Sequence, residues 1–213
     1  IQLGPEGKTK SIDASPYIGT MFSNNPLFIN LYQLTQKDFA GILSSQTFDK
    51  IVSQNPSQAN RVAYEYIYKN SDSALREAFT NFRKKLSEND AKIKKLNKKL
   101  IDFVKKNQYW LEKDALYEAI SAKNNNDYWP MWSDELDKNL FNAEGKFSAE
   151  DVQKRISELK TNQKDGIEFY EFVQFIADFQ KQTTKDFVLN NKMKTISDCQ
   201  VAFSDRDYWA NQA

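Results

Sequence analysis

The sequence predicts an α/β fold that is mostly helix over these 213 residues. Two observations carry that prediction. Apolar residues recur at helical spacing through most of the chain from residue 57 onward. One such pattern, at 167–190, stops at Asn190–Asn191 and hands over to KTISDCQVAF, where Ile196, Val201 and Phe203 supply the β-branched and aromatic bulk of a buried strand at 194–203. A long helix that feeds a strand after a short polar break is the αβ half of an α/β unit. An aspartate near the end of such a strand, here Asp198, stands where α/β barrels place site residues.

The elements follow in order. Residues 1–26 are punctuated by Gly4, Pro5, Gly7, Pro16, Gly19 and Pro26 and read as loop, with short helical turns around Tyr17–Phe22. Leu27–Leu31 is a short apolar stretch, followed by weak helices at 36–43 and 46–53. Leu75, Phe79, Phe82 and Leu86 then form one apolar stripe, and Ile93, Leu96, Leu100, Phe103 and Val104 form the next. Glu88 and Asp90 precede the lysines of that second helix, which suits its dipole. A further helix covers YWLEKDALYEAISAK (109–123) and stops at the asparagines 124–126. DYWPMW makes a turn, Ser133 caps a short helix and Ser148 caps the next. Phe169, Phe172, Val173, Ile176, Phe179 and Phe187 mark the buried side of the last long helix.

Bulk properties exclude several functions. Thirty Lys and Arg stand against 29 Asp and Glu, a net charge of +1, which argues against nucleic acid or an anionic membrane as partner. The run KIKKLNKKLIDFVKK (92–106) reads as a solvated helix face. No histidine is present, so Ser-His and Cys-His nucleophiles are excluded within this chain, as are most metal sites. The single Cys199 fits a reducing compartment, hence a cytoplasmic location. Two segments, 142–151 and 161–172, echo a calcium-binding loop. With Gly145 or Gly166 as the loop glycine, Leu140, Thr161 and Gln163 stand where carboxylates belong, so neither is expected to hold a metal.

Three segments, in order, resemble one family. LGPEGKTKSIDASPYIGTMFSNNPLFINL (3–31) is similar to the early GP…SPY…NP loop of the 4-alpha-glucanotransferases, also called amylomaltases, of glycoside hydrolase family seventy-seven. YWLEKDALYEAISAKNNNDYWPMWSDEL (109–136) resembles that family's WLEDYALF…WP.EL stretch. FYEFVQFIADFQ…KTISDCQVAFSDRDYW (169–209) resembles its FVQ…I.GD…VA..S.DVW segment. The resemblance implies a partial (β/α)8 barrel interrupted by a large helical insertion. It divides the chain into barrel loop and first elements at 1–44, an insertion at 45–165, and a barrel helix, strand and next loop at 166–213. It also implies transfer of α-1,4-glucan segments between maltodextrins by a retaining carboxylate mechanism with no organic cofactor. The family's three catalytic carboxylates lie beyond the third segment. The expectation is therefore an N-terminal-side portion, inactive alone, whose partners are a maltodextrin and the remainder of the enzyme.

The same resemblance singles out side chains. Ser15 and Tyr17 match the SPY motif, which lines sugar subsites in the family; a tyrosine ring stacks on a sugar face while its hydroxyl reaches an oxygen. Asp198 matches the aspartate of I-G-D, a substrate contact, although Ser197 replaces the glycine and Cys199–Gln200 an apolar residue and proline. Asn25 either touches sugar or caps a turn. Asp205, Arg206 and Asp207 read as a helix cap, Trp209 as packing, and Trp129 and Trp132 as either packing or a glucan platform. Asp114 and Glu118, one helical turn apart, read as exposed surface. Two other function classes compete, a non-catalytic carbohydrate-binding module and a helical interaction or calcium-sensor protein. Catalytic carboxylates further along the polypeptide would exclude the first. Heat on adding maltoheptaose, with none on adding calcium, would exclude the second.

Overall fold

The computed structural model describes residues 1–9, 15–58, 60–142 and 145–212. Among them lie strands β1 (Gln2–Leu3) and β2 (Ile196–Ser197) and eight α-helices. These are α1 (Leu31–Thr35), α2 (Ser45–Ser53), α3 (Tyr64–Ser87), α4 (Ala91–Asn124), α5 (Glu135–Lys138), α6 (Ala149–Asn162), α7 (Lys164–Asn190) and α8 (Asp205–Ala210). Pro16–Ile18, Pro26–Phe28, Lys37–Phe39 and Trp129–Met131 are single 3-10 turns.

The apolar stripes fold as the sequence predicts except at the far end of α7, where Phe187, expected on the buried side, is 64% exposed. Leu75 and Phe82 of α3 and Ile93 of α4 are buried, and Phe172 of α7 packs between Phe79 and Phe82 with ring centroids 5.4 and 5.2 Å away. Leu34, Ile42 and Leu43 close this core from the N-terminal side. Asp90 starts α4 by accepting the N–H groups of Lys92 and Ile93, at 2.9 and 3.0 Å. The two helices expected at 92–106 and 109–123 form the single 34-residue α4. Nothing between Val104 and Tyr109 breaks the backbone, and Phe103, Trp110 and Leu111 carry the buried stripe across the junction. The helix stops where Asn125 turns left-handed at φ 48°.

A second core gathers around Trp209, which is fully buried. Its ring lies 4.9 Å from Phe141 and 5.6 Å from Trp132, and its indole N–H donates to the Asp137 carbonyl at 2.9 Å. Trp132 is thus packing and not a sugar platform, and Trp129 packs against the same cluster. Ser148 caps α6 as expected, whereas α5 is capped by Asp134, one residue beyond Ser133. The expected helix at 36–43 is instead a 3-10 turn at Lys37–Phe39 ended by a left-handed Ala40, and the α-helix of this region, α1, lies just before it. Residues 161–172 are helical apart from Gln163, and Gly166 sits in the first turn of α7, which leaves no ligand loop there.

The expected buried strand at 194–203 is corrected. Only Ile196–Ser197 pairs, parallel to Gln2–Leu3, and Ile196, Val201 and Phe203 are 70%, 84% and 51% exposed. Strand bulk is buried only when neighbouring strands and helices cover both faces. Here β1 is the one neighbour among the described residues, and it is two residues long. The rest of the segment runs as loop toward Tyr17, whose carbonyl accepts the N–H groups of Val201 and Ala202 at 2.9 and 3.2 Å.

Candidate functional site

Two loops and three helices meet around a cavity of about 700 Å³. The first loop carries Lys8. It is held by reciprocal backbone bonds, Lys8 N–H to the Ser23 carbonyl at 3.0 Å and Thr20 N–H to the Lys8 carbonyl at 2.9 Å. Gly7 permits this approach, since a Cβ there would lie 2.3 Å from the Thr20 carbonyl oxygen. The second loop carries Arg206, one residue into α8. Ser204 and Asp207 cap that helix reciprocally, and the Asp207 carboxylate also accepts the Met21 N–H at 3.1 Å, tying the two loops together.

Asp114 and Glu118 project from α4, and Tyr170 from α7. Lys8 Nζ and Arg206 Nη2 both donate to the same Glu118 oxygen, Oε1. Arg206 Nη1 donates to the Tyr170 hydroxyl at 2.8 Å. That hydroxyl donates onward to Asp114 at 3.4 Å, and Ser23 donates to the same carboxylate oxygen at 2.8 Å. The guanidinium lies 5.0 Å from the Tyr117 ring and 5.5 Å from the Tyr170 ring. Asp114 and Arg206 are buried, 4% and 7% exposed, and Glu118 is partly open. Asp114 and Glu118 are therefore a correction to the expected exposed pair. They lie on the α4 face that buries Trp110 and Leu111, and their charges are matched by cations from distant segments.

The electrostatics follow from burial and pairing. Burial would raise the Glu118 carboxyl, but the charges of Lys8 and Arg206 outweigh it and hold the pKa at about 2. Burial would lower the Arg206 guanidinium, but Glu118, Tyr170 and Asp114 keep it firmly charged. Burial lowers the Lys8 ammonium against the pull of Glu118. It raises Asp114 against the attraction of Arg206, and it raises Tyr170. Both carboxylates are committed to cations and hydroxyls. No group of three or more potential metal ligands occurs among the described residues.

Ser15, Tyr17, Asn25 and Asp198 are not among the residues that line this cavity. Tyr17 is 44% exposed in the 3-10 turn that Ser15 begins. Asp198 is exposed, with its N–H on the Leu3 carbonyl at 2.9 Å. The bonds from Val201 and Ala202 to Tyr17 bring these segments together, and their neighbours Ile18 and Phe203 line the cavity. Asn25 is 7% exposed and caps a turn: its Oδ1 accepts the Leu27 N–H at 3.0 Å, and its Nδ2 donates to Thr9 at 3.4 Å. Sequence reasoning missed Lys8, Glu118 and Arg206. The one available signal was Asp114, placed four residues after Trp110 and three after Leu111, on an apolar stripe.

A family model for the 4-alpha-glucanotransferases of glycoside hydrolase family 77 matches residues 1–213. The chain belongs to that family. It is similar to the 4-alpha-glucanotransferase of Clostridium butyricum, 28% identical over 216 residues, covering 99% of this chain and 38% of the relative. The 4-alpha-glucanotransferase of Aquifex aeolicus is 24% identical over 200 residues, covering 92% and 34%. Its fold matches a solved amylomaltase from Streptococcus agalactiae in complex with acarbose at a TM-score of 0.77, with 20% identity, over 98% of this chain and 37% of that one. The chain thus spans less than two-fifths of these family members. No helix among the described residues is long and apolar enough to cross a membrane.

Proposed function

We propose that this chain is part of a 4-alpha-glucanotransferase that passes α-1,4-glucan segments between maltodextrins by a retaining mechanism. The family match across the whole chain carries the reading. In this reading 1–44 and 166–213 are portions of a (β/α)8 barrel and 45–165 is a helical insertion. The exposed Ile196 and Val201 beside the short β1–β2 pair support it, because further strands would cover them. The carboxylates that cleave and re-form the glycosidic bond come from the polypeptide outside these residues. In retaining enzymes such a pair stands about 5 Å apart, and one member attacks the sugar while the other serves first as acid and then as base. Here the second acceptor is a glucan hydroxyl and not water.

This segment supplies the sugar-binding wall. Tyr17 offers a ring face and a hydroxyl, Ser15 a second hydroxyl, and Asp198 an exposed carboxylate that accepts hydrogen bonds from sugar hydroxyls. Asn25 holds the turn that follows Tyr17's loop. No organic cofactor, nucleic acid or membrane enters the scheme, and the cytoplasm is its setting. The test is to incubate the full-length polypeptide with maltotriose. Glucose together with longer maltodextrins, their new linkages α-configured by proton NMR, is the expected result. Hydrolysis without transfer, or no reaction, would refute the reading.

A further inference from the structure

Glu118 stands outside both loops and accepts from a cation of each, Lys8 Nζ and Arg206 Nη2, at the single oxygen Oε1. Lys8 and Arg206 repel each other, and the carboxylate between them turns that repulsion into an attachment. The two cations differ in freedom. Arg206 is buried, its guanidinium faces the Tyr117 and Tyr170 rings, and its helix is anchored by the fully buried Trp209. Lys8 rides on the first loop and reaches the same oxygen from there.

The first loop needs such a hold. Packing covers its tip poorly: Tyr17, Ile18, Met21 and Phe22 are between 40% and 44% exposed. A segment with few buried contacts keeps one arrangement through directed polar bonds. Here they run from Met21 N–H to Asp207 at 3.1 Å, from Val201 and Ala202 to the Tyr17 carbonyl, from Thr20 N–H to the Lys8 carbonyl, and from Lys8 Nζ to Glu118. Of these, the last joins two full charges, which makes it the strongest. We propose that Glu118 is a positioning residue: it holds Lys8 against Arg206 and so fixes the loop that carries Tyr17 relative to the segment that carries Asp198. Without that hold the tip samples other placements. The apparent affinity for a ligand that needs both side chains then falls with the fraction of time they are correctly placed. The transferase reading enters only as the identity of that ligand, a glucan.

Two variants of the full-length polypeptide test this, Glu118→Gln, which keeps the shape and removes the charge, and Lys8→Met, which removes the ammonium. Each is followed by hydrogen exchange with mass spectrometry and assayed on maltotriose well below its melting temperature. Faster exchange is expected in the peptide covering 15–25, with the α3 amides of the core exchanging as in wild type. KM is expected to rise about tenfold in Glu118→Gln and about threefold in Lys8→Met, with kcat near wild type. Adding Tyr17→Phe to Glu118→Gln should raise KM by less than the product of the two single effects, because the tyrosine is already misplaced. Wild-type KM in both variants overturns the inference. So does faster exchange throughout, α3 included, which marks a brace for the whole fold. If Glu118→Gln does not fold, Lys8→Met decides by the same readings. If the wild type does not turn over maltotriose, the transferase reading fails, and exchange alone judges the positioning: acceleration confined to 15–25 supports it, and wild-type exchange there overturns it.

Discussion

Two buried arginine–carboxylate clusters lie among the described residues, and they differ in completeness. In the second core, Arg155 of α6 grips Asp137 with Nε at 2.8 Å and Nη2 at 2.9 Å, and reaches Asp134 at 3.0 Å and Glu158 at 3.3 Å. Every nitrogen of that guanidinium has a partner, and the Asp137 side chain is fully buried. Around Arg206 the same chemistry leaves Nε unpaired and places Glu118, 31% exposed, at the edge of a cavity. A saturated network joins α5 to α6 and has nothing left to offer a ligand. The Arg206 network also joins its helices, but its carboxylate Glu118 opens onto the cavity. The contrast is one of setting: Arg155 is closed off by its partners, and Arg206 stands beside a cavity.

Substitutions sharpen this contrast. Arg155→Met strands a carboxylate with no access to water, leaving only Lys123 at 3.4 Å, and should lower the unfolding free energy by about 3 kcal/mol without changing glucan affinity. Arg206→Met should cost less in stability, about 1–2 kcal/mol, because Glu118 keeps Lys8 and some solvent, and more in glucan affinity. Denaturant unfolding beside maltoheptaose titration checks both, and equal effects on stability and affinity in the two variants would erase the distinction.

Two pH effects follow in order of size. Burial raises the Glu171 carboxyl to about 7, reinforced by Glu168 and Glu112 and opposed by Lys160. Between the ordinary value of about 4.3 and 7, the folded state binds more protons than the unfolded chain, so stability falls as pH rises. Glu171→Gln should remove that slope and gain about 1–2 kcal/mol at pH 8, read by thermal unfolding across pH. Glu118 has the opposite sign. Its folded pKa of about 2 lies below the ordinary value, so its stabilisation is present above about pH 4 and lost as pH falls toward 2. Glu118→Gln should flatten that acid limb and leave the profile above pH 5 parallel to wild type. The smallest expected effect is Tyr17→Phe, a rise of about threefold in KM for maltotriose from one lost hydroxyl contact.

The sequence carried the helices well because their signal is local. Leu75, Phe79, Phe82 and Leu86 need only one another to declare a stripe, and Asp90 and Ser148 declare their caps in the same way. The strand failed because Ile196, Val201 and Phe203 state a preference that only neighbouring strands can satisfy. The short motifs located the loops of the candidate site but not its charged cluster. Lys8 and Arg206 lie at opposite ends of the chain and meet only through Glu118, a contact with no sequence period. Glu118 and Asp114 carry the spacing of an ordinary surface pair, and the cations that bury them come from distant loops.

The most direct test of the account is a crystal structure of the full-length polypeptide soaked with maltoheptaose. The expected result is a glucan ring beside Tyr17, with a sugar hydroxyl within hydrogen-bond distance of the Asp198 carboxylate. A glucan bound elsewhere, with only water in contact with Tyr17 and Asp198, would contradict it.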